Sequence, residues 1–133
     1  EPVQFVFSDG QHRLGVLTDL GFSTPHVIDS LTGCEALVLE CNHDADMLAN
    51  GNYPASLKQR IGGRFGHLDN AAAAALLGQL DTSQLQHLIA AHLSEHNNTP
   101  LLAQQALADV LGCAADWIGV ADQEAGFDWR TLA

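Results

Sequence analysis

Asp19, Glu40, His67 and His92 are the residues of this chain whose types could hold a divalent cation or move a proton. Their spacing is irregular, but each sits at a junction. The apolar runs 14–19 (LGVLTD), 36–40 (ALVLE) and 88–92 (LIAAH) end on Asp19, Glu40 and His92, and His67 precedes an alanine-rich segment. In a fold of alternating strands and helices, the carboxyl ends of the strands line up along one edge, where ligands bind. Carboxylates and imidazoles gathered there suit a metal that activates water. Two metal-type ligands are too few for a closed site, so the pattern reads as half of one.

The neighbours of these residues widen the candidate site. Glu40-Cys41-Asn42-His43-Asp44 places polar side chains directly after a buried strand, which makes Asn42 and His43 candidates for substrate contact. The same stretch also suits a polar helix start capped by Asn42 or Asp44. Lys58, Arg60 and Arg64 are three of the five cations and fall just before His67. They form either a phosphate-receiving patch or an ordinary solvated helix face. His67 lies at a helix N-terminus, whose positive end favours an anionic substrate. Asp19, before Gly21, also fits a simple turn.

Positioning these residues requires a sheet. Residues 4–7 and 13–19 read as a hairpin around Ser8-Asp9-Gly10-Gln11. Thr24-Pro25 opens a short helix that Gly33 ends. Residues 36–41 form an apolar strand of the kind buried on both faces, followed by helical pieces at 44–50 and 54–61. Asp69 or Asn70 caps a helix over 71–80, whose five consecutive alanines favour helix. Residues 86–91 form a strand, Thr99-Pro100 opens a helix over 101–111 closed by Gly112, and 117–121 form a last strand before a surface tail at 122–133. The order predicts one α/β domain over 1–133, with a mixed sheet and too few helices to cover more than one face.

Composition bounds the classes. A chain of 133 residues with 47% apolar content can bury a real core. No apolar run is long enough to cross a bilayer. The net charge of −11 argues against a broad basic nucleic-acid face. Cys34, Cys41 and Cys113 form no CxxC pair, which fits a reducing cytoplasm, and Cys41 reads as a buried, inert thiol. The chain opens on Glu1 rather than Met and shows no cationic leader, which reads as a start that has been removed.

The series Thr18-Asp19-Leu20-Gly21, Leu39-Glu40-Cys41-Asn42-His43-Asp44 with Met47-Leu48, Tyr53-Pro54 with Leu57-Lys58 and Arg60-Ile61, Gly66-His67-Leu68-Asp69-Asn70, and Ala91-His92-Leu93-Ser94 with Asn97-Asn98 and Pro100 closely resembles the carboxyl-terminal half of metallo-β-lactamase-fold hydrolases. Within them it is most similar to the YycJ/WalJ branch, over about residues 4–120. The resemblance implies half of an αββα sandwich with helices on one face of the sheet. It makes Asp19 the aspartate that bridges two metal ions and His92 the last histidine ligand. Glu40 and His67 then match the glutamate–histidine pair of the related tRNase Z nucleases, in which the histidine protonates the leaving oxygen of a phosphodiester. It also implies two Zn or Mn ions in the parent protein and attack by a metal-bound hydroxide. The family usually has serine at the position of Asp69. Its HxHxDH metal motif is absent from this chain, since none of His26, His43, His87 and His96 reproduces it.

The expected function is metal-dependent hydrolysis of phosphodiesters, nuclease-like, with nucleic acid as a partner of the parent and no membrane partner. A thioester or lactone hydrolase of the same fold is the alternative. The chain alone is expected to bind metal weakly or not at all. A third expectation is a non-catalytic fragment that self-associates, or binds its complementary half, through the sheet face left bare.

Overall fold

The first two apolar runs close into the expected hairpin in a computed structural model that describes residues 3–20, 23–63 and 66–133. Strand β1 (Val3–Ser8) pairs antiparallel with β2 (Arg13–Thr18), with Phe5 opposite Val16 and Phe7 opposite Leu14. Strands β3 (Ala36–Glu40), β4 (His87–Ala91) and β5 (Gly119–Val120) follow in parallel, so the spatial order β1-β2-β3-β4-β5 is also the order along the chain. Parallel crossovers are overwhelmingly right-handed. When successive crossovers of one hand step across a sheet in one direction, their helices fall on one face.

The helices are α1 (Pro25–Leu31), α2 (Ala45–Asn50), α3 (Ala55–Gly62), α4 (Asn70–Gly78) and α5 (Pro100–Leu111). Side-chain caps start four of them: Thr24, Asp44, Asp69 and Thr99 accept from the backbone N–H three residues on. Each bond satisfies a donor that the helix leaves unpaired, worth about 1 kcal/mol. Gly112 ends α5 at φ +69°, a conformation that glycine adopts without a Cβ clash.

Leu17, Leu37, Leu39, Leu88 and Ala90 point from the sheet into a core shared with Leu31 of α1, Leu76 and Leu77 of α4, and Leu107 of α5. Gly15 lets α1 approach closely. A Cβ there would stand 2.7 Å from Leu31 Cδ2 and 2.8 Å from Leu37 Cδ2. The buried alanines Ala73, Ala103 and Ala108 serve the same end where α4 and α5 meet the core.

The alternate residues of the same strands face the other way. Phe5, Phe7, Leu14, Val16, Ala36, Val38 and Ile89 make an apolar second face. The carboxyl-terminal segment crosses part of it. Phe127, Trp129 and Leu132 enclose, with Ala36, Val38 and Ile89, a cavity of about 390 Å³. Hydrogen bonds fix the segment: His87 Nε2 lies 2.8 Å from the Thr131 carbonyl, and the Ala133 backbone makes two bonds with the Gln86 amide. Phe5 and Phe7 remain 54% and 57% exposed beyond its reach.

Two elements differ from the expected ranges by more than one residue at an end. The last strand is only Gly119–Val120, because a 3-10 turn over Ala115–Trp117 precedes it, with Trp117 N–H donating to the Ala114 carbonyl and Ile118 N–H to that of Ala115. The alanine-rich helix stops at Gly78, since Gln79 and Leu80 donate to carbonyls three residues back. No helix among the described residues is long and apolar enough to cross a membrane.

Candidate metal centre

Strand register assembles the site. Leu17 stands beside Leu39, and Glu40 beside Ala91. The residues at or just past the ends of β2, β3 and β4 therefore meet along one edge. Asp19 and His92 sit at φ 58° and 57°, and they are the only non-glycine residues with positive φ among those described. Asp and His tolerate this region better than most residues, but it is not their preferred one. Such backbone placements are frequent at functional sites.

The four residues singled out first converge. One ligand atom from each of Asp19, Glu40, His67 and His92 lies within 4.8 Å of every other. Glu40 is fully buried and is the hub. Its Oε1 lies 3.0 Å from His67 Nδ1 and 2.5 Å from His92 Nδ1, and its Oε2 accepts from the Leu68 N–H at 3.4 Å. A carboxylate oxygen that accepts from both rings places an N–H at each Nδ1 and leaves Nε2 of each ring without a bond to Glu40. Asp19 Oδ1 stands 3.5 Å from His67 Nδ1 and 3.6 Å from His92 Nδ1, and its side chain is largely exposed. The two imidazoles meet edge to face, with centroids 5.2 Å apart.

This donor set fits a divalent cation. Among the described residues no Lys or Arg pairs with either carboxylate, so the negative charge at the mouth is balanced only by imidazoles. Asp19 offers a free carboxylate, and His92 offers Nε2 with Glu40 behind Nδ1, the carboxylate–histidine arrangement that orients a metal ligand. Two such ligands do not complete a site.

The other candidates stand elsewhere. Asn42 and His43 are buried, with Asn42 Nδ2 donating to the His92 carbonyl at 2.9 Å and its Oδ1 3.1 Å from His43 Nδ1. Asn42 is therefore committed inside the protein instead of facing a substrate. Burial pushes the His43 pKa down. Lys58 Nζ donates to the Ala49 carbonyl at the end of α2 and lines an open cleft with His43 and Asp69. Arg60 is exposed on α3. Arg64 and Gly21 lie outside the described residues. The α4 N-terminus is occupied by Asp69, whose carboxylate accepts from Ala72 N at 2.7 Å, so it is not open to a substrate anion. Serine is an equally good cap, so aspartate at this position preserves the local structure. Burial and the Glu40 charge push the Cys41 thiol to about 12, as an inert cysteine requires.

Two residues had not been singled out. Asn70 and Asn98 are buried and exchange side-chain amide bonds of 2.8 and 2.9 Å, while Asn98 also donates to the Cys41 carbonyl. They tie together the segments that carry Glu40, His67 and His92. Their signal in the sequence is only that both are asparagines flanking the site histidines.

No protein-family model matches the sequence. Among solved structures, the metallo-β-lactamase-fold protein YhfI from Bacillus subtilis superposes with a TM-score of 0.63 at 19% identity, over 93% of this chain and 41% of that one. Zn(2+)-bound PqqB from Methylobacterium extorquens gives 0.56 at 20%, over 93% and 40%. The fold is thus half of a metallo-β-lactamase-type sandwich. Curated relatives narrow this further. The chain is 36% identical over 111 residues to the exodeoxyribonuclease YycJ of Bacillus anthracis, and 30% identical over 119 residues to the exodeoxyribonuclease WalJ of Streptococcus pneumoniae. Over the matched stretch it is a homologue of these YycJ/WalJ proteins and carries the metallo-β-lactamase-type fold. The matches take in 84% and 90% of this chain but only 42% and 44% of those relatives.

Proposed function

We propose that this chain supplies half of the active site of a metal-dependent phosphodiesterase of the nuclease type, with DNA as the substrate class. The observation that carries the reading is the hub: one buried carboxylate, Glu40, holds the Nδ1 of both His67 and His92 beside the open carboxylate of Asp19. The relatives named as exodeoxyribonucleases support the substrate class.

In this reading Asp19 and His92 hold the metal together with ligands from outside the described residues. A bound divalent ion supplies Lewis acidity and lowers the pKa of water. Glu40 fixes the ring of His67 and stabilises its imidazolium. His67 then donates its Nε2 proton to the leaving oxygen, which departs as an alcohol. A thioester or lactone has less need of such a remote acid, and the Glu40–His67 pair therefore favours a phosphodiester. The free thiols Cys34, Cys41 and Cys113 suit a reducing cytoplasm.

The test is His67→Ala in a form of the protein that carries the remaining metal ligands. Metal content should be kept while hydrolysis of DNA falls about 100- to 10,000-fold, the usual contribution of a general acid. The loss should be much smaller on a nitrophenyl phosphodiester, whose leaving group hardly needs a proton. Equal losses on both substrates would overturn the acid role.

A further inference from the structure

Three of the four hydrogen-bonding groups of one buried residue, Asn42, reach the segments that carry His67 and His92. Its backbone N–H donates to the Leu68 carbonyl at 2.9 Å, and its carbonyl accepts from Ser94 N at 2.6 Å. Its Nδ2 donates to the His92 carbonyl at 2.9 Å, and its Oδ1 faces His43 Nδ1. The contact with His92 is informative because His92 stands at φ 57°. A residue in that conformation turns its carbonyl away from the strand ladder, and the freed carbonyl takes a side-chain donor instead. Asn42 is that donor.

We propose that Asn42 is a positioning residue, which holds His92 in its left-handed conformation and thereby aims the imidazole so that Nδ1 meets Glu40 beside the Asp19 carboxylate. The assignment rests on reading the Glu40–His92 pair as functional. It replaces the expected substrate contact at residue 42 with one made through the backbone of a ligand. Only an amide serves here, because the site needs a donor toward His92 and an acceptor toward His43 on the same short side chain. Aspartate supplies the acceptor alone and sets a carboxylate against the His92 carbonyl. Groups that stand behind metal ligands typically change metal affinity or activity about 10- to 100-fold.

Nitrogen-15 NMR of the imidazoles of this chain, at a pH where they are neutral, tests the proposal without a catalytic assay. In the wild type both His67 and His92 should show the Nδ1–H tautomer. In Asn42→Asp, His92 should shift to the Nε2–H form that a free side chain prefers, while His67 keeps its Nδ1–H signal. His67 is the internal control, since no Asn42 side-chain bond reaches it. An unchanged His92, or both rings changing together, overturns the proposal. Where Asn42→Asp does not fold, Asn42→Ala makes the same comparison without the repulsion. The Asn42 side-chain amide protons of the wild type should also exchange far more slowly than those of exposed Asn50, and equal rates would refute the contact. Failure of the His67→Ala test would remove the acid role of His67 and leave these tautomer results unaffected.

Discussion

Replacing Asp19 by glycine should leave stability unchanged or slightly raised while removing the site. Asp19 stands at φ 58°, where a residue with a Cβ is disfavoured by about 1–2 kcal/mol, and aspartate by less than most. Its carboxylate is largely exposed and comes no closer than 3.5 Å to the imidazoles, so its deletion costs little, as for other exposed ion pairs. Glycine removes the clash but adds freedom to the unfolded chain, which offsets about 0.5–1 kcal/mol. The net for Asp19→Gly is between no change and a gain of about 1 kcal/mol. Asp19→Ala keeps the Cβ at the same φ and should fall about 1 kcal/mol below the glycine variant. The comparison is read from denaturant midpoints, or as a melting difference of about 4 °C for a chain of this size. Both variants should lose metal affinity alike in the longer protein. Equal destabilisation by glycine and alanine would show that residue 19 is not held against its backbone preference. Retained metal binding would remove it from the ligand set.

His43 carries the pH dependence most open to test. Burial holds its folded pKa below the usual 6.5, so on acidification the unfolded chain takes up the proton first. Its stabilising contribution is complete above about 6.5 and is lost as pH falls through the folded value, so His43→Gln should flatten the acid side of a stability–pH curve measured by denaturant unfolding. The second face of the sheet leaves Phe5 and Phe7 exposed beside Leu14, and sheets bury such faces by stacking about 10 Å apart. We therefore expect the purified chain to self-associate, or to bind its complementary half, in light scattering. A dilution-resistant monomer that binds no hydrophobic dye would refute this.

The site was legible to the extent that its determinants are local. Strand ends at Asp19, Glu40 and His92 follow from where apolar runs stop, and Thr24, Asp69 and Thr99 are readable as caps because the capping bond spans three residues. The hub was less legible. That a single Glu40 oxygen serves two rings depends on register between strands 51 residues apart in sequence, which no local pattern encodes. Asn42 misled for a related reason, since polarity after a buried strand suits solvent contact and an internal clasp equally. The surface tail at 122–133 was readable as exposed. Its docking was not, because it depends on backbone bonds from Thr131 and Ala133 to His87 and Gln86.

The strand order has a consequence for how the chain is made. Each strand of β1-β2-β3-β4-β5 pairs with the one before it, and none has to be inserted between two others. As synthesis proceeds from the amino terminus, every new strand meets a paired edge already in place, and each helix can settle behind the strands it connects. Growth of this kind needs no earlier pairing to be undone. The four residues of the candidate site are also added in series, Asp19 first and His92 last, so that edge closes only when β4 has docked.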